Sequence, residues 1–261
     1  DTRLLVNMAT TAAEQGATML NYAPVRALTR DEKGFVNGVV ASDLEGGREV
    51  GGVPAQYQGR PGSPGPVAII DGGGANIASL RFALTRLGVD SRLTADPDAI
   101  RAASHVILPG VGAARAAMDR LREKRLDEVI PHLTQPVLGI CLGLQLLFER
   151  SEEDDAACLG ILKGVVKRFT AAPGRPVPHM GWNDVAVTRS SRLLAGVPDG
   201  SYFYFVHSYA AEPGPATVGQ AEYGWPFSAV VESGNFLATQ FHPERSGPLG
   251  ARVLDNFLRR Y

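Results

Sequence analysis

From residue 67 onward, short β-branched runs alternate with segments whose apolar residues recur at helical spacing, and that rhythm leaves few folds open. VAIID (67–71) reads as a buried strand, ANIASLRFALTRLG (75–88) as a helix closed by Gly88, and SHVILPG (104–110) as a second buried strand ending in a turn. AARAAMDRLREKRLDEVIPHL then reads as helix, PVLGIC (136–141) as strand and LGLQLLFERS as helix. Strands followed by helices in this order predict an α/β fold with a mostly parallel sheet and helices on both faces. The later part is richer in strand, with VPHMGWNDVAV, SYFYFVHSYAA and SAVVESGNFLATQFHP before a last helix, GARVLDNFLRRY.

Upstream lies a different kind of sequence. GGVPAQYQGRPGSPGP (51–66) holds five Gly and four Pro, a composition that supports neither a helix nor an interior strand. It is expected to be a flexible tether between a short α+β segment (1–50) and one large domain (67–261). Within the first segment, RLLVNMATTAAEQG has helical spacing ending at Gly16, and the stretch from ATMLNYAPVRALTR to GFVNGVVASDLEGGREV alternates like a strand and a hairpin. So few residues make a poor independent domain. The chain begins at Asp1 rather than Met, which fits a fragment joined to a whole domain.

Composition removes several function classes. With 26 basic against 27 acidic residues, nothing points to nucleic acid or an anionic membrane as partner. Two cysteines, Cys141 and Cys158, exclude a disulfide-built fold. No apolar stretch approaches the roughly 20 residues of a membrane span, and the N-terminus lacks a signal peptide's pattern, so a cytoplasmic protein is the default.

The sharpest chemical feature is GICLGLQ (139–145), where a buried strand runs into Cys141 and a helix starts at once. Gly139 and Gly143 permit the tight strand-to-helix turn that lifts a nucleophile above a sheet, as in the elbow of hydrolases. Backbone N–H groups at a helix start favour a thiolate and can hold an oxyanion. The competing reading of Cys141 is a small buried hydrophobe. Cys158 has no elbow around it and reads as structural. A nucleophilic cysteine needs a base and the base an orienting partner, and QFHPERS (240–246) offers His242 and Glu244. Pro243 favours an extended backbone there, in which residues two apart project to the same side. LPGVGAA (108–114) supplies Gly110, Val111 and Gly112, either an ordinary turn or amides lining an oxyanion site. DGGGANIAS (71–79) fails as a nucleotide loop: a Gly is missing at Ile77 and no Gly-Lys-Ser/Thr follows. No cofactor or metal is expected.

DTRLLVNMATTAAEQGATMLNY and VNGVVASD resemble an internal piece of the FAD-dependent glycerol-3-phosphate dehydrogenases. The Gly-rich dinucleotide loop of such enzymes is missing, so no flavin binding is expected. In the parent fold Arg3 would be the residue to meet a substrate phosphate, and it is assigned no role here.

From Val67 to the end, DGGGANIAS, LPGVGAA, GICLGLQLLFERSEE, PHMGWN, YFYFVHSYA and QFHPERSG occur in the order seen in the glutaminase subunits of imidazole glycerol phosphate synthase, which this region resembles. PHMGWN is the segment that separates this subfamily from other class I glutamine amidotransferases. Gly72 and Ala75 depart from the usual Tyr and Gly, which touches the partner-facing loop rather than the triad.

The resemblance implies a class I amidotransferase fold with Cys141 as nucleophile, His242 as base and Glu244 as its partner. It further implies Gly110, Val111, Gly112 and Leu142 around the oxyanion and Gln145 on bound glutamine. Glutamine would be hydrolysed through a thioester, and the ammonia would pass to a separate cyclase subunit with a (β/α)8 barrel in a heterodimer of histidine biosynthesis. Asn76, Met180, Trp182, Asn183, Tyr204, His207 and Arg245 would face that partner, with core packing the competing reading for the aromatic ones. An amidotransferase of another pathway, or a non-catalytic chimera whose first segment obstructs docking, stays open on sequence alone.

Overall fold

The computed structural model describes residues 65–72, 77–110 and 112–261, and before them the backbone of three strands. The chain forms two compact units, Asp1–Tyr57 and Gln58–Tyr261. In the first, β1 (Val25–Arg30), β2 (Val36–Ser42) and β3 (Glu49–Val50) make an antiparallel sheet in that order. The helix expected before Gly16, Arg3, and residues 51–64 of the expected tether lie outside the described residues.

The second unit is built on a nine-stranded sheet. Its parallel half consists of β4 (Val67–Ile70), β5 (Ser91–Thr94), β6 (His105–Gly110), β7 (Val137–Cys141) and β16 (Phe236–Thr239), with β7 between β16 and β6. Four strands extend it antiparallel: β15 (Pro226–Ser233), β14 (Thr217–Glu222), β11 (His179–Val187) and, at the edge, β12 (Ser201–His207). A second, four-stranded sheet runs β13 (Tyr209–Ala211), β10 (Val165–Arg168), β8 (Arg150–Ser151), β9 (Ala156–Ala157).

The apolar runs of the parallel strands are continuous because both faces are covered. Alternate residues enter different layers: Val67, Ile69 and Ile107 pack with Leu80 and Leu84 of α1 (Ile77–Arg86) and with Phe257 of the last helix. Ala68, Ile70, Val106 and Leu108 pack with Ile100 of α2 (Pro97–Ala102) and Met118 of α3 (Ala114–Glu123). Among the described residues no helix is long and apolar enough to cross a membrane.

Two expectations about elements need correction, and one unassigned segment is filled in. The helix expected through residue 133 breaks at Arg125, whose φ of 55° is left-handed; α4 (Leu126–Val129) and a 3₁₀ turn (Ile130–His132) follow separately. The helix expected over LGLQLLFERS is only one turn, α5 (Leu142–Gln145). The carbonyls of Leu146, Leu147, Phe148 and Glu149, which a longer helix would use internally, instead accept from Leu159, Leu162, Gly160 and Cys158. The segment 89–103, unassigned from sequence, supplies β5 and α2, the latter capped by the Asp96 side chain accepting from Asp98 N–H at 3.0 Å and opened by Pro97.

Candidate active site

The parallel strands end where the chemistry is expected, and three glycines make the close approach possible. A Cβ on Gly139 would stand 2.8 Å from the Gly143 carbonyl oxygen, and one on Gly110 would stand 2.6 Å from Gly143 N. A Cβ on Gly143 would collide with the Leu108 carbonyl. With side chains absent at these positions, the turn after β7 seats its helix directly on β6. Cys141 occupies that turn at φ 55° and ψ −108°, outside the regions an L-residue ordinarily adopts. Gly110 pairs with Cys141 across β6 and β7, and the N–H of Leu142, first in α5, lacks an acceptor within its own helix. Gly112 follows at φ +92°, and among the described residues nothing stands within 4 Å of where its Cβ would be. Val111 lies outside the described residues.

The base arrives from the neighbouring strand. After β16 the chain turns at His242 into a 3₁₀ turn, Pro243–Arg245, and His242 Nδ1 meets Glu244 Oε1 at 2.9 Å. The pairing expected between these two is present, but the extended backbone expected to produce it is not. The tight turn brings Glu244 back beneath the ring, as Pro at the first helical position favours.

Nδ1–H donates to Glu244, which leaves Nε2 for the Cys141 thiol, to which the ring is also hydrogen-bonded. Both the His242 and Glu244 side chains are buried. Burial alone would lower the His242 pKa; the Cys141 sulfur and the Glu244 carboxylate outweigh it and hold the ring charged above the ordinary histidine range. A thiol, an imidazole oriented by a carboxylate, and helix-start amides beside them can perform nucleophilic acyl transfer.

Backbone bonds lock the base in place. His242 N–H donates to the Tyr204 carbonyl at 3.0 Å, and Ser246 Oγ accepts from Tyr204 N–H at 3.0 Å while donating to the His242 carbonyl at 2.7 Å. Gln145, expected on bound glutamine, turns its Nε2 to the Tyr209 carbonyl at 2.8 Å and to Gln240 Oε1 at 3.1 Å. Gln240 and Ser246 stand inside the QFHPERS motif, yet sequence reasoning assigned neither a role. A Gln closing the apolar strand FLAT was the available signal. Glu153 was also missed: its carboxylate accepts from Ala114 N–H at 2.8 Å, capping α3 just after the LPGVGA turn. Cys158 is half-buried with its thiol pKa pushed up to about 11 by burial, which leaves it inert beside Cys141.

Of the residues expected to face a partner, Met180 and Trp182 are 63% and 50% exposed, and Arg245 is exposed. Met180 and Trp182 share a surface with half-buried Tyr204, which pairs with Trp182 across β11 and β12. Asn183 gives its side-chain N–H to the Glu222 carbonyl at 2.9 Å. Asn76 lies outside the described residues. His207 corrects the expectation. It points inward on β12, is buried, and donates Nδ1–H to the Tyr209 carbonyl at 2.9 Å while its Nε2 takes the His179 Nδ1–H at 3.0 Å. Strand alternation decides this: Tyr204 and Val206 face out, Phe203, Phe205 and His207 face the core.

The description "Glutamine amidotransferase class-I" matches residues 68–261. The chain belongs to the class-I glutamine amidotransferase family, on its HisH branch. The imidazole glycerol phosphate synthase subunit HisH of Xanthomonas axonopodis pv. citri (strain 306) is 54% identical over 192 residues, covering 74% of this chain and 96% of that protein. HisH of Xylella fastidiosa (strain Temecula1 / ATCC 700964) is 54% identical over the same share of each chain. Among solved structures, a glutamine amidotransferase superposes with a TM-score of 0.59 at 19% identity, covering 74% of this chain and 96% of that one. PurLQS from Thermotoga maritima gives 0.56 at 18%, covering 76% and 99%. These two likenesses establish the amidotransferase fold; the HisH relatives establish the branch.

Proposed function

We propose that this family member is the glutaminase subunit of an imidazole glycerol phosphate synthase. It hydrolyses glutamine to glutamate and ammonia and feeds the ammonia to a cyclase subunit in histidine biosynthesis. The observation that carries the reading is the strained turn presenting Cys141 to a histidine that Glu244 orients at 2.9 Å. Supporting it is the 54% identity to HisH subunits across 96% of their length.

In this reading Cys141 attacks the side-chain amide of glutamine as a thiolate. The amides of Leu142 and of the Gly110–Gly112 turn, Val111 included, stabilise the oxyanion, with Gln145 beside the substrate. His242 protonates the departing ammonia and then takes a proton from the water that opens the thioester. The ammonia is useful only if it reaches the second active site unprotonated. The partner is accordingly a docked subunit, a (β/α)8 barrel, held against the face of Met180, Trp182 and Tyr204, with Arg245 beside it. We place residues 67–261 as the catalytic domain and residues 1–50 as an appendage without a catalytic part, joined by 51–66, and the whole protein in the cytoplasm.

The test is glutaminase activity of the full chain with and without the cyclase subunit and its nucleotide substrate, with Cys141→Ala as control. A wild-type rate in the complex no faster than that variant's would overturn the reading.

A further inference from the structure

Gln240 follows the last residue of β16, and its side chain is wholly buried. Its backbone N–H donates to the Ala229 carbonyl at 2.8 Å, which fixes it against β15. Its side-chain amide is held at both ends: Oε1 accepts from Gln145 Nε2 at 3.1 Å, and Nε2 lies 3.7 Å from Cys141 Sγ.

The orientation of these two amides follows from a backbone group that cannot reverse. The Tyr209 carbonyl only accepts, so Gln145 must turn its NH₂ toward it, at 2.8 Å. The second hydrogen of that NH₂ meets Gln240, which answers with its oxygen and thereby turns its own NH₂ onto the sulfur. The same Tyr209 carbonyl takes Nδ1–H of His207, whose Nε2 takes Nδ1–H of His179. Each partner in this buried line has its polarity set by the one before it, and the line ends on Sγ.

On its other side Sγ lies 3.7 Å from the Val206 carbonyl oxygen. An acceptor facing the sulfur favours the thiol, and a donor favours the thiolate. We propose that Gln240 is a catalytic residue, donating an N–H to the Cys141 sulfur and stabilising the thiolate against the opposing Val206 carbonyl. The inference rests on the thioester reading above. It acts twice in the cycle: first when the Cys141 proton passes to His242, then when water opens the thioester. In that second step water adds OH to the acyl carbon and gives its proton to His242. The C–S electron pair stays with sulfur, where the Gln240 N–H receives it.

The ionisable groups around the thiol are His242, with Glu244 behind it, and the neutral pair His207 and His179. None of these changes in Gln240→Met, which removes the donor and keeps the length of the side chain without adding a charge. The experiment measures iodoacetamide inactivation of the full chain against pH, with Cys141→Ala as blank. The expected result is an alkylation midpoint moved up by about one pH unit in Gln240→Met, a roughly tenfold loss of reactive thiolate below it, with the high-pH plateau within a few-fold of wild type. A role in packing alone would lower melting temperature and leave the midpoint in place, and that outcome overturns the proposal.

The unmutated chain offers a second readout that no folding defect can obscure. Its Gln240 side-chain amide resonance should shift over the same pH range as alkylation and stay still in Cys141→Ala. A resonance that does not follow the thiol also overturns the proposal. An unmoved midpoint in a chain with full glutaminase activity would refute Gln240 alone, whereas absence of glutaminase activity in the wild-type complex would refute the function itself.

Discussion

The Leu108 carbonyl occupies the space that any side chain on Gly143 would need. Strand β6 therefore reaches the start of α5 only because position 143 carries no Cβ, and that contact sets the height of Cys141 above the sheet. Gly143→Ala forces one backbone to move away from the other, so the cost exceeds the usual 1–3 kcal/mol of overpacking, about 3 kcal/mol or more. We expect the melting temperature to fall by about 10 °C and activity to be lost. Gly72, around which a Cβ would meet nothing within 4 Å among the described residues, is the control: Gly72→Ala should melt within about 1 °C of wild type. Equal melting of the two variants would contradict the packing argument.

Glu244 acts on the reaction only through His242. Removing Cys141 or His242 should lower kcat by about 10⁴-fold or more, and Glu244→Gln should be roughly 10- to 100-fold milder. The pH profile carries the sharper signature. Because the carboxylate helps hold the ring charged, its removal lowers the pH at which His242 loses its proton. The alkaline limb of kcat/KM, where the proton for departing ammonia is lost, should move to lower pH in Glu244→Gln. A limb that stays in place would show that the 2.9 Å contact does not tune the base.

Much of this site was legible in the sequence, for a physical reason. Gly139-x-Cys141-x-Gly143 after a buried run encodes a local backbone event, and His242 and Glu244 are two residues apart, so both features survive reading along the chain. What escaped depends on partners distant in sequence. Gln145 and Gln240 are 95 residues apart, and Ser246 bridges to Tyr204 across 42. The same limit explains the misread helix after Gln145. Its apolar spacing is helical, but the carbonyls of residues 146–149 are captured by the returning segment 158–162, and no pattern within residues 142–151 announces that competitor. His207 was misassigned because its strand carries aromatic residues on both faces, and only the strand's pairing decides which side faces the core.

The buried pair His179 and His207 should make the protein acid-labile. Burial lowers their pKa to about 4 and about 3, so both stay neutral in the fold while the unfolded chain protonates them near 6.5. With folded values below unfolded ones, the unfolded state binds more protons as pH falls below about 6.5, and stability declines down to about pH 4 for the His179 part and about pH 3 for the His207 part. Each histidine adds a slope of up to about 1.4 kcal/mol per pH unit. His179→Phe keeps a ring against Tyr223, whose centroid is 4.0 Å away, and should roughly halve that slope in urea titrations between pH 6.5 and 4. An unchanged slope would assign the acid sensitivity elsewhere.

Ser246 ties the loop of the base to the edge strand. Ser246→Ala leaves the buried Tyr204 N–H and the His242 carbonyl without this partner, a cost of about 1–3 kcal/mol. It should also loosen the backbone that presents the imidazole, so kcat should fall about tenfold with KM nearly unchanged. A drop in thermal stability with kcat intact would mean that the hydroxyl serves the fold and not the placement of His242.

The last prediction concerns the exposed face of β11 and β12. Met180, Trp182 and Tyr202, at 63%, 50% and 59% exposure, are three of the five large hydrophobic side chains left in solvent among the described residues. Register places Trp182 opposite Tyr204 and Asp184 opposite Tyr202, so the three lie on one surface. Beneath it the Tyr204 carbonyl holds His242 N–H and the Val206 carbonyl faces Cys141 Sγ. A partner seated there would press on the strand whose carbonyls contact the nucleophile and the base. Trp182→Ala should raise the Kd for the cyclase subunit about 30-fold, corresponding to about 2 kcal/mol for a buried aromatic anchor. It should leave the melting temperature of the free chain within about 2 °C, since half of the ring already meets water. Leu93 sits on β5, at the opposite end of the nine-stranded sheet, and is 38% exposed, so Leu93→Ser should leave Kd unchanged. Calorimetric titration of both variants decides the matter: equal affinity for the two would remove the β11–β12 face from the interface.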